Sequence, residues 1–121
     1  MISFNAFKLP DQIDDPAIAQ HYEIMHKYGG PNPGVFSIYA QLTAELMVEA
    51  LSRTCDNLTR QGLMDAVESL KDYPSGLRLE GVTVTLSKTD HWTLQSGYME
   101  RVVVENGKGK WEYFGPVYEF D

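Results

Sequence analysis

The clearest structural signal lies in residues Gly34–Gln95, GVFSIYAQLTAELMVEALSRTCDNLTRQGLMDAVESLKDYPSGLRLEGVTVTLSKTDHWTLQ. Its first half repeats apolar residues at helical spacing. Tyr73-Pro74-Ser75-Gly76 ends that pattern, because proline and glycine interrupt a helix. From Val82 to Leu86, apolar residues alternate with threonines, which is typical of a half-buried strand. The stretch therefore predicts helices followed by strands, and an α/β fold class.

Three helices are predicted. The first begins at Asp15-Pro16, since an N-cap Asp accepts free backbone N–H groups and proline suits the first helical position. It ends at Gly29-Gly30, where glycine permits left-handed backbone angles. The third begins at the N-cap Thr59.

The second helix, about Val35 to Thr54, is expected to bury one apolar stripe. Its charged residues, Glu45, Glu49 and Arg53, are expected to face solvent. The predicted stripe consists of Phe36, Tyr39, Leu42, Leu46, Val48 and Leu51.

About four strands are predicted, and the last two form an antiparallel hairpin. Asn106-Gly107 is a strong hairpin-turn signal, although Lys108-Gly109 leaves a longer loop open. The predicted strands are Ile2–Phe7, Val82–Leu86, Gly97–Glu105 and Lys110–Phe114.

Length and charge narrow the functional classes. A chain of 121 residues forms one domain or a piece of one. Its net charge of −7 repels phosphate backbones and anionic lipid, so nucleic acid is not an expected partner. Cys55 is the single cysteine, which excludes an internal disulfide and a multi-cysteine zinc site. It is expected to be a small buried hydrophobe.

No residue pattern indicates an enzyme, a metal site or a cofactor. His21 and His26 lie five apart on one helix, about 140° from each other, and cannot share a metal. Both are expected to be surface or half-buried structural residues. Asp90-His91 is open to two interpretations: an acid–base pair, or a loop in which Asp90 caps backbone N–H groups. We favour the loop.

Aromatic residues are the remaining candidates for binding. Phe36 and Tyr39 open the second helix, and Phe7 ends the first strand. One interpretation is core packing, because aromatics at helical spacing are usually buried. The other is that one or more line an apolar cleft and pack on a ligand.

The order of elements resembles the C-terminal third of the type I periplasmic solute-binding proteins, the branched-chain amino-acid receptors of ABC transporters. The pieces that carry the resemblance are IYAQLTAELMVEAL, LTRQGLMDAVESLKDY, SGL followed by VTVTLSKTDHWTLQSGYMERV, and GKWEYFG. The resemblance implies that residues 1–121 form the C-terminal portion of a Rossmann-like lobe with a parallel sheet. It also implies binding of a branched-chain amino acid, amide, urea or aromatic acid without chemistry.

The resemblance implies a site as well. In this family the start of the long helix faces the ligand, which points to Phe36, with Gly34 as the alternative equivalent and Tyr39 nearby. With Phe7 from the aromatic pattern, the predicted ligand-binding residues are Phe36, Tyr39, Phe7 and Gly34. The implied partners are a small solute and an ABC permease.

The N-terminus, MISFNAFKLPDQIDD, does not resemble a signal peptide. The family implies a periplasmic location, and the chain as given would stay cytoplasmic. Without the first part of such a receptor, Ile2–Phe7 and Val82–Leu86 would lack strand partners. An unpaired strand edge favours association, so a homodimer is predicted. The alternative function is therefore a dimerising or regulatory module without a small ligand.

Overall fold

The computed structural model describes residues 1–30 and 32–120, which form three helices and three strands. A mixed α/β fold is thus confirmed, with three strands among the described residues where about four were predicted. In chain order the elements are β1 (Ile2–Asn5), α1 (Pro16–Lys27), α2 (Val35–Arg53), α3 (Arg60–Glu68), β2 (Ser96–Glu105) and β3 (Lys108–Glu119).

The helices begin where the capping residues predict. The Asp15 carboxylate accepts the backbone N–H of Ala17 at 2.9 Å, and Pro16 is the first residue of α1. Thr59 Oγ1 accepts the N–H of Gly62 at 3.0 Å at the start of α3. Each bond supplies a partner to an N–H group that the helix itself leaves unsatisfied.

The sheet is antiparallel throughout, in the order β1-β2-β3. The parallel sheet implied by the family resemblance is therefore not confirmed. β1 pairs with β2, with Ser3 opposite Glu100, so the prediction that Ile2–Phe7 lacks a strand partner is wrong. Asn106 and Gly107 have φ values of 51° and 75°, and β3 begins immediately afterwards at Lys108. The short turn is confirmed over the longer loop.

The predicted strand at Val82–Leu86 is not formed, although its pattern of burial is as expected. Val82, Val84 and Leu86 are buried, whereas Thr83 is exposed. A single bridge joins Val84 to Leu94. The other backbone bonds go to irregular segments, including Tyr73 N to Val84 O and Leu86 N to Leu70 O. Alternating burial needs only an extended chain, whereas a strand needs a continuous partner.

The buried face of α2 differs from the predicted stripe. Leu42 and Leu46 are buried as predicted, but Phe36 is 88% exposed and Val48 is 66% exposed. Glu45 is half-buried and accepts a hydrogen bond from Ser75 Oγ at 2.7 Å, so its predicted solvent position is wrong. The residues of α2 that are buried are Ile38, Leu42, Leu46 and Ala50.

The core consists of three apolar clusters, and Phe7 packs against two of them. One cluster centres on Leu42, Leu70 and Val84, and the other on Ile18 and Ile38. The third cluster holds Ala6, Leu79 and Val82, under Tyr98 and Tyr113. The segment that follows β1 therefore joins the sheet to the helices, and both cavities described below adjoin it.

Candidate functional site

An apolar cleft of about 570 Å³ lies beside β1. The Phe4 ring meets the Phe120 ring edge-on, with 4.6 Å between centroids. Asp90 Oδ1 accepts the backbone N–H of Trp92 at 2.8 Å and so fixes the loop that carries the indole. Trp92 is 71% exposed, which leaves much of its ring free for a ligand. The cleft is lined by Phe4, Asn5, Ala6, Phe7, Trp92, Leu94 and Phe120.

The structure brings two of the four predicted ligand-binding residues together. The Phe7 and Tyr39 rings meet edge-on at 5.4 Å, and Phe7 also lines the apolar cleft. Gly34 is the N-cap of α2, and its N–H donates to Ser37 Oγ at 2.9 Å. Phe36 is 88% exposed and extends into solvent. Their role in binding stays a prediction.

A second cavity, of about 450 Å³, also adjoins β1, shares Phe4 and Asn5 with the apolar cleft, and is lined by a buried carboxyl group. Glu100 of β2 is 7% exposed, and its Oε2 has no hydrogen-bond partner among the described residues. The lining residues are Ser3, Phe4, Asn5, Leu9, Pro10, Asp11, Val35, Glu100 and Trp111.

The surroundings of Glu100 determine its titration. Burial raises the pKa of Glu100, and the side chains of Asn5 and Ser3 act in the opposite direction. Asn5 also donates from Nδ2 to Phe7 O at 3.0 Å and to Tyr113 Oη at 3.2 Å. Burial raises the pKa of Tyr113 as well, with a further contribution from the charge of Glu100. Tyr113 is thus a neutral hydroxyl that donates to Phe7 O at 2.9 Å.

The sequence patterns did not identify Glu100 as a candidate. A Glu between Met99 and Arg101 in a strand is normally expected at the surface. The period of two offers one signal, because it places Glu100 on the same side of β2 as Tyr98 and Val102. Only the packing of Asn5 and Leu9 around this position makes it a cavity wall.

The histidines have structural partners. His21 is 1% exposed, which corrects the predicted surface or half-buried position. Its Nδ1 lies 2.6 Å from Gln41 Oε1 and its Nε2 lies 2.9 Å from Ser37 Oγ, so both ring nitrogens are used between α1 and α2. His91 Nε2 lies 3.1 Å from Glu68 Oε1, whereas Asp90 binds the N–H of Trp92.

Asp90 and His91 thus bond to different partners. Cys55 is exposed, so its predicted burial is wrong. Within residues 1–30 and 32–120, no group of three or more His, Cys, Asp or Glu side chains is placed to hold a metal ion. None of the helices in that part of the chain is long and apolar enough to cross a membrane.

The comparisons with known proteins do not identify a family. No family model matches the chain, and no curated protein or solved structure matches it either.

Proposed function

We propose that this chain contributes the C-terminal part of an ABC-transporter solute-binding protein and binds a small solute without chemistry. The solute would carry a branched or aromatic apolar group, as in a branched-chain amino acid, an amide or an aromatic acid. In such a protein the chain would supply one wall of a cleft that closes on its ligand, and a permease would recognise the closed shape.

The apolar cleft is the observation that supports this proposal. Its volume of about 570 Å³ falls within the usual range for small-molecule sites. Among the described residues that line it, the Asn5 amide and the Trp92 indole N–H are the polar side-chain groups, and none is charged. Both N–H groups of the Asn5 amide are already bonded, to Phe7 O and Tyr113 Oη, so the wall chiefly favours apolar surface.

Calorimetric titration of the chain with leucine, valine, isobutyramide, benzoate and urea tests the proposal. We expect micromolar binding of at least one apolar solute and none of urea, which has no apolar group to bury. Trp92→Ala should weaken that binding about tenfold, because it removes a large apolar contact worth on the order of 1.4 kcal/mol.

The matched control is Tyr28→Ala. Tyr28 is an aromatic residue of similar exposure, 75% against 71% for Trp92, and does not line the cleft. Its replacement should leave the affinity unchanged. Folded protein that binds none of the panel, or binding that survives Trp92→Ala, would contradict the proposed cleft. Phe36→Ala, in the same assay, tests the contact that the family resemblance implies.

A second candidate function, a dimerising module, is supported by the surface of α2. Within α2, all of which the structure describes, Arg53 is the single charged residue among those exposed. Surface helices normally turn their charged residues outward, so an outer face of this composition indicates an interaction surface. The exposed residues are Val35, Phe36, Tyr39, Ala40, Thr43, Ala44, Met47, Val48, Leu51, Ser52 and Arg53.

A further inference from the structure

We propose that the cavity beside Glu100 is a binding site for an organic ammonium group, distinct from the apolar cleft although Phe4 and Asn5 line both. The ammonium would donate to the unpartnered Oε2 of Glu100, with Asp11 at the mouth as a second carboxylate. The aromatic ring of Trp111 would contact the organic part or the cation itself. This site goes beyond the proposed function, and neither depends on the other.

Glu100 carries a buried oxygen, Oε2, that has no hydrogen-bond partner among the described residues. A buried acceptor without a partner costs about 1–3 kcal/mol, and the Glu100 side chain that carries this one lines a cavity, which indicates a missing donor. Glu100 is 7% exposed, and its other neighbours do not bond Oε2 within the described part of the chain. The cavity of about 450 Å³ is large enough for a small molecule to supply that donor.

The negative charge of the cavity wall also favours a cation. Among the described lining residues, Asp11 and Glu100 are the ionisable ones, and both are acidic. Apolar groups such as Leu9 and Val35 complete the wall, and Trp111 offers an aromatic face. Two carboxylates beside an aromatic ring attract a cation that also carries apolar surface, which describes an organic ammonium.

A metal ion fits this wall less well. Ca²⁺ takes six to eight oxygen ligands, and Mg²⁺ requires six in octahedral geometry. The cavity offers two carboxylates, and no group of three acidic, His or Cys side chains in residues 1–30 and 32–120 is placed to hold a metal ion. An ammonium needs fewer protein ligands, because its apolar substituent contributes to binding.

The burial of Glu100 predicts a pH dependence for this site. Because its pKa is raised, Glu100 takes up a proton at a higher pH than an exposed glutamate does. Tyr113 of β3, opposite Glu100, has a pKa raised by burial and stays neutral, and Asp11, which lines the same cavity, is exposed. Affinity for a cation should therefore fall on mild acidification, before exposed carboxylates are protonated.

The test is a titration of ¹⁵N-labelled protein with benzylammonium chloride, followed through the indole signals of the two tryptophans. Benzyl alcohol is the neutral analogue, and MgCl₂ at equal ionic strength is the inorganic cation. We expect benzylammonium to shift the Trp111 signal, and the other two additives to leave it in place. Trp92 reports the apolar cleft, so failure at one site is distinguishable from failure at the other.

Glu100→Gln keeps the size of the side chain and removes the charge, and should weaken benzylammonium binding about tenfold or more. Glu23→Gln removes the same charge from an exposed position on α1, away from the cavity, and should have no effect. Asp11→Asn, in an exposed loop, should also weaken binding and gives a second variant that does not depend on core packing. An unmoved Trp111 signal, an equal response to benzyl alcohol, or affinity that survives Glu100→Gln and Asp11→Asn would overturn the proposal.

Discussion

Glu100 illustrates at the scale of one residue how a candidate site conflicts with stability. A carboxylate with an unsatisfied buried oxygen lowers the free energy of unfolding, and such groups concentrate at sites with a function. The opposite case is His21, a polar residue equally buried but bonded through both ring nitrogens to Gln41 and Ser37. Burial alone therefore does not separate a candidate site residue from a structural one. The difference is that His21 has all its hydrogen-bond partners and Glu100 does not.

We expect Glu100→Gln to stabilise the protein at neutral pH and not under acid conditions. A raised folded-state pKa means that stability is complete below the ordinary glutamate pKa and is lost as the pH rises through the folded value. The glutamine cannot ionise, so the variant avoids that loss. At pH 7 the gain should be on the order of 1 kcal/mol, or roughly 3–5 °C in Tm.

Thermal unfolding of wild type and Glu100→Gln at pH 4 and pH 7 measures this difference. Glu105→Gln, from an exposed position on the same strand, is the control and should show no such dependence on pH. A Glu100→Gln variant that is less stable than wild type at pH 7, or equally shifted at both pH values, would contradict the assigned cause.

Among the elements, local signals predicted where the helices start, but the third helix ends at Glu68, before the predicted break at Tyr73, and the orientation of α2 was not predicted. Asp15 and Thr59 mark helix starts correctly, because a cap acts through bonds within a few residues. The prediction of which face of α2 is buried was wrong, because apolar residues occupy both sides of the helix. Ile38 and Leu42 face the core, while Phe36 and Met47 face solvent, and helical spacing fits either choice.

The same limit applies to the sheet and to the cavities. The Val82–Leu86 pattern predicted burial correctly, but whether a partner strand runs beside it depends on residues far away in the chain. The cavity at Glu100 brings together β1, the Leu9–Asp11 loop, β2, β3 and the start of α2. No local pattern contains that arrangement, because its residues lie far apart in the chain.

The backbone angle of Gly107 in the hairpin turn contributes to stability. Gly107 has φ +75°, and an added Cβ would meet no atom within 4 Å, so a substitution there tests the backbone angle alone. Gly107→Ala should lower the free energy of unfolding by about 1–2 kcal/mol, because L-residues are strained in left-handed conformations.

Gly109→Ala is the matched control for the turn. Its Cβ would lie 3.5 Å from Val102 Cγ1, an ordinary contact, and its backbone angle does not favour glycine. Urea denaturation of both variants should therefore destabilise only Gly107→Ala. Equal stability of the two alanine variants would mean that the turn angle does not limit the hairpin.

For the molecule as a whole, we expect the outer face of α2 to pair with a second copy of itself. The exposed side chains at Phe36, Ala40, Thr43, Met47 and Leu51 follow helical spacing along one side. An antiparallel pair of α2 helices related by a two-fold axis would place Phe36 opposite Leu51 and Ala40 opposite Met47. Phe36 would then contact another apolar side chain, and Met47 would contact the small Ala40. No like charges would be brought together.

This arrangement replaces the predicted cause of dimerisation. The sequence predicted dimerisation through unpaired strands. Because β1 pairs with β2, we expect a dimer to form through the exposed apolar side chains of α2 instead. α2 has 19 residues and spans about 28 Å. A single helix pair of that length buries less than a standard interface of roughly 1,600 Å², so we expect a weak and reversible dimer.

Sedimentation equilibrium over a range of protein concentrations distinguishes a dimer formed through α2 from a monomer whose α2 face stays exposed. Wild type should shift from monomer to dimer as its concentration rises. Met47→Glu should remain monomeric, because the two-fold pairing would bury a carboxylate against Ala40 of the other copy without a cationic partner. Gln20→Glu adds the same charge at an exposed position of α1 and should dimerise like wild type. A wild-type chain that stays monomeric throughout, or a Met47→Glu chain that dimerises equally, would leave the α2 face to a different partner and remove the support for a dimerising module.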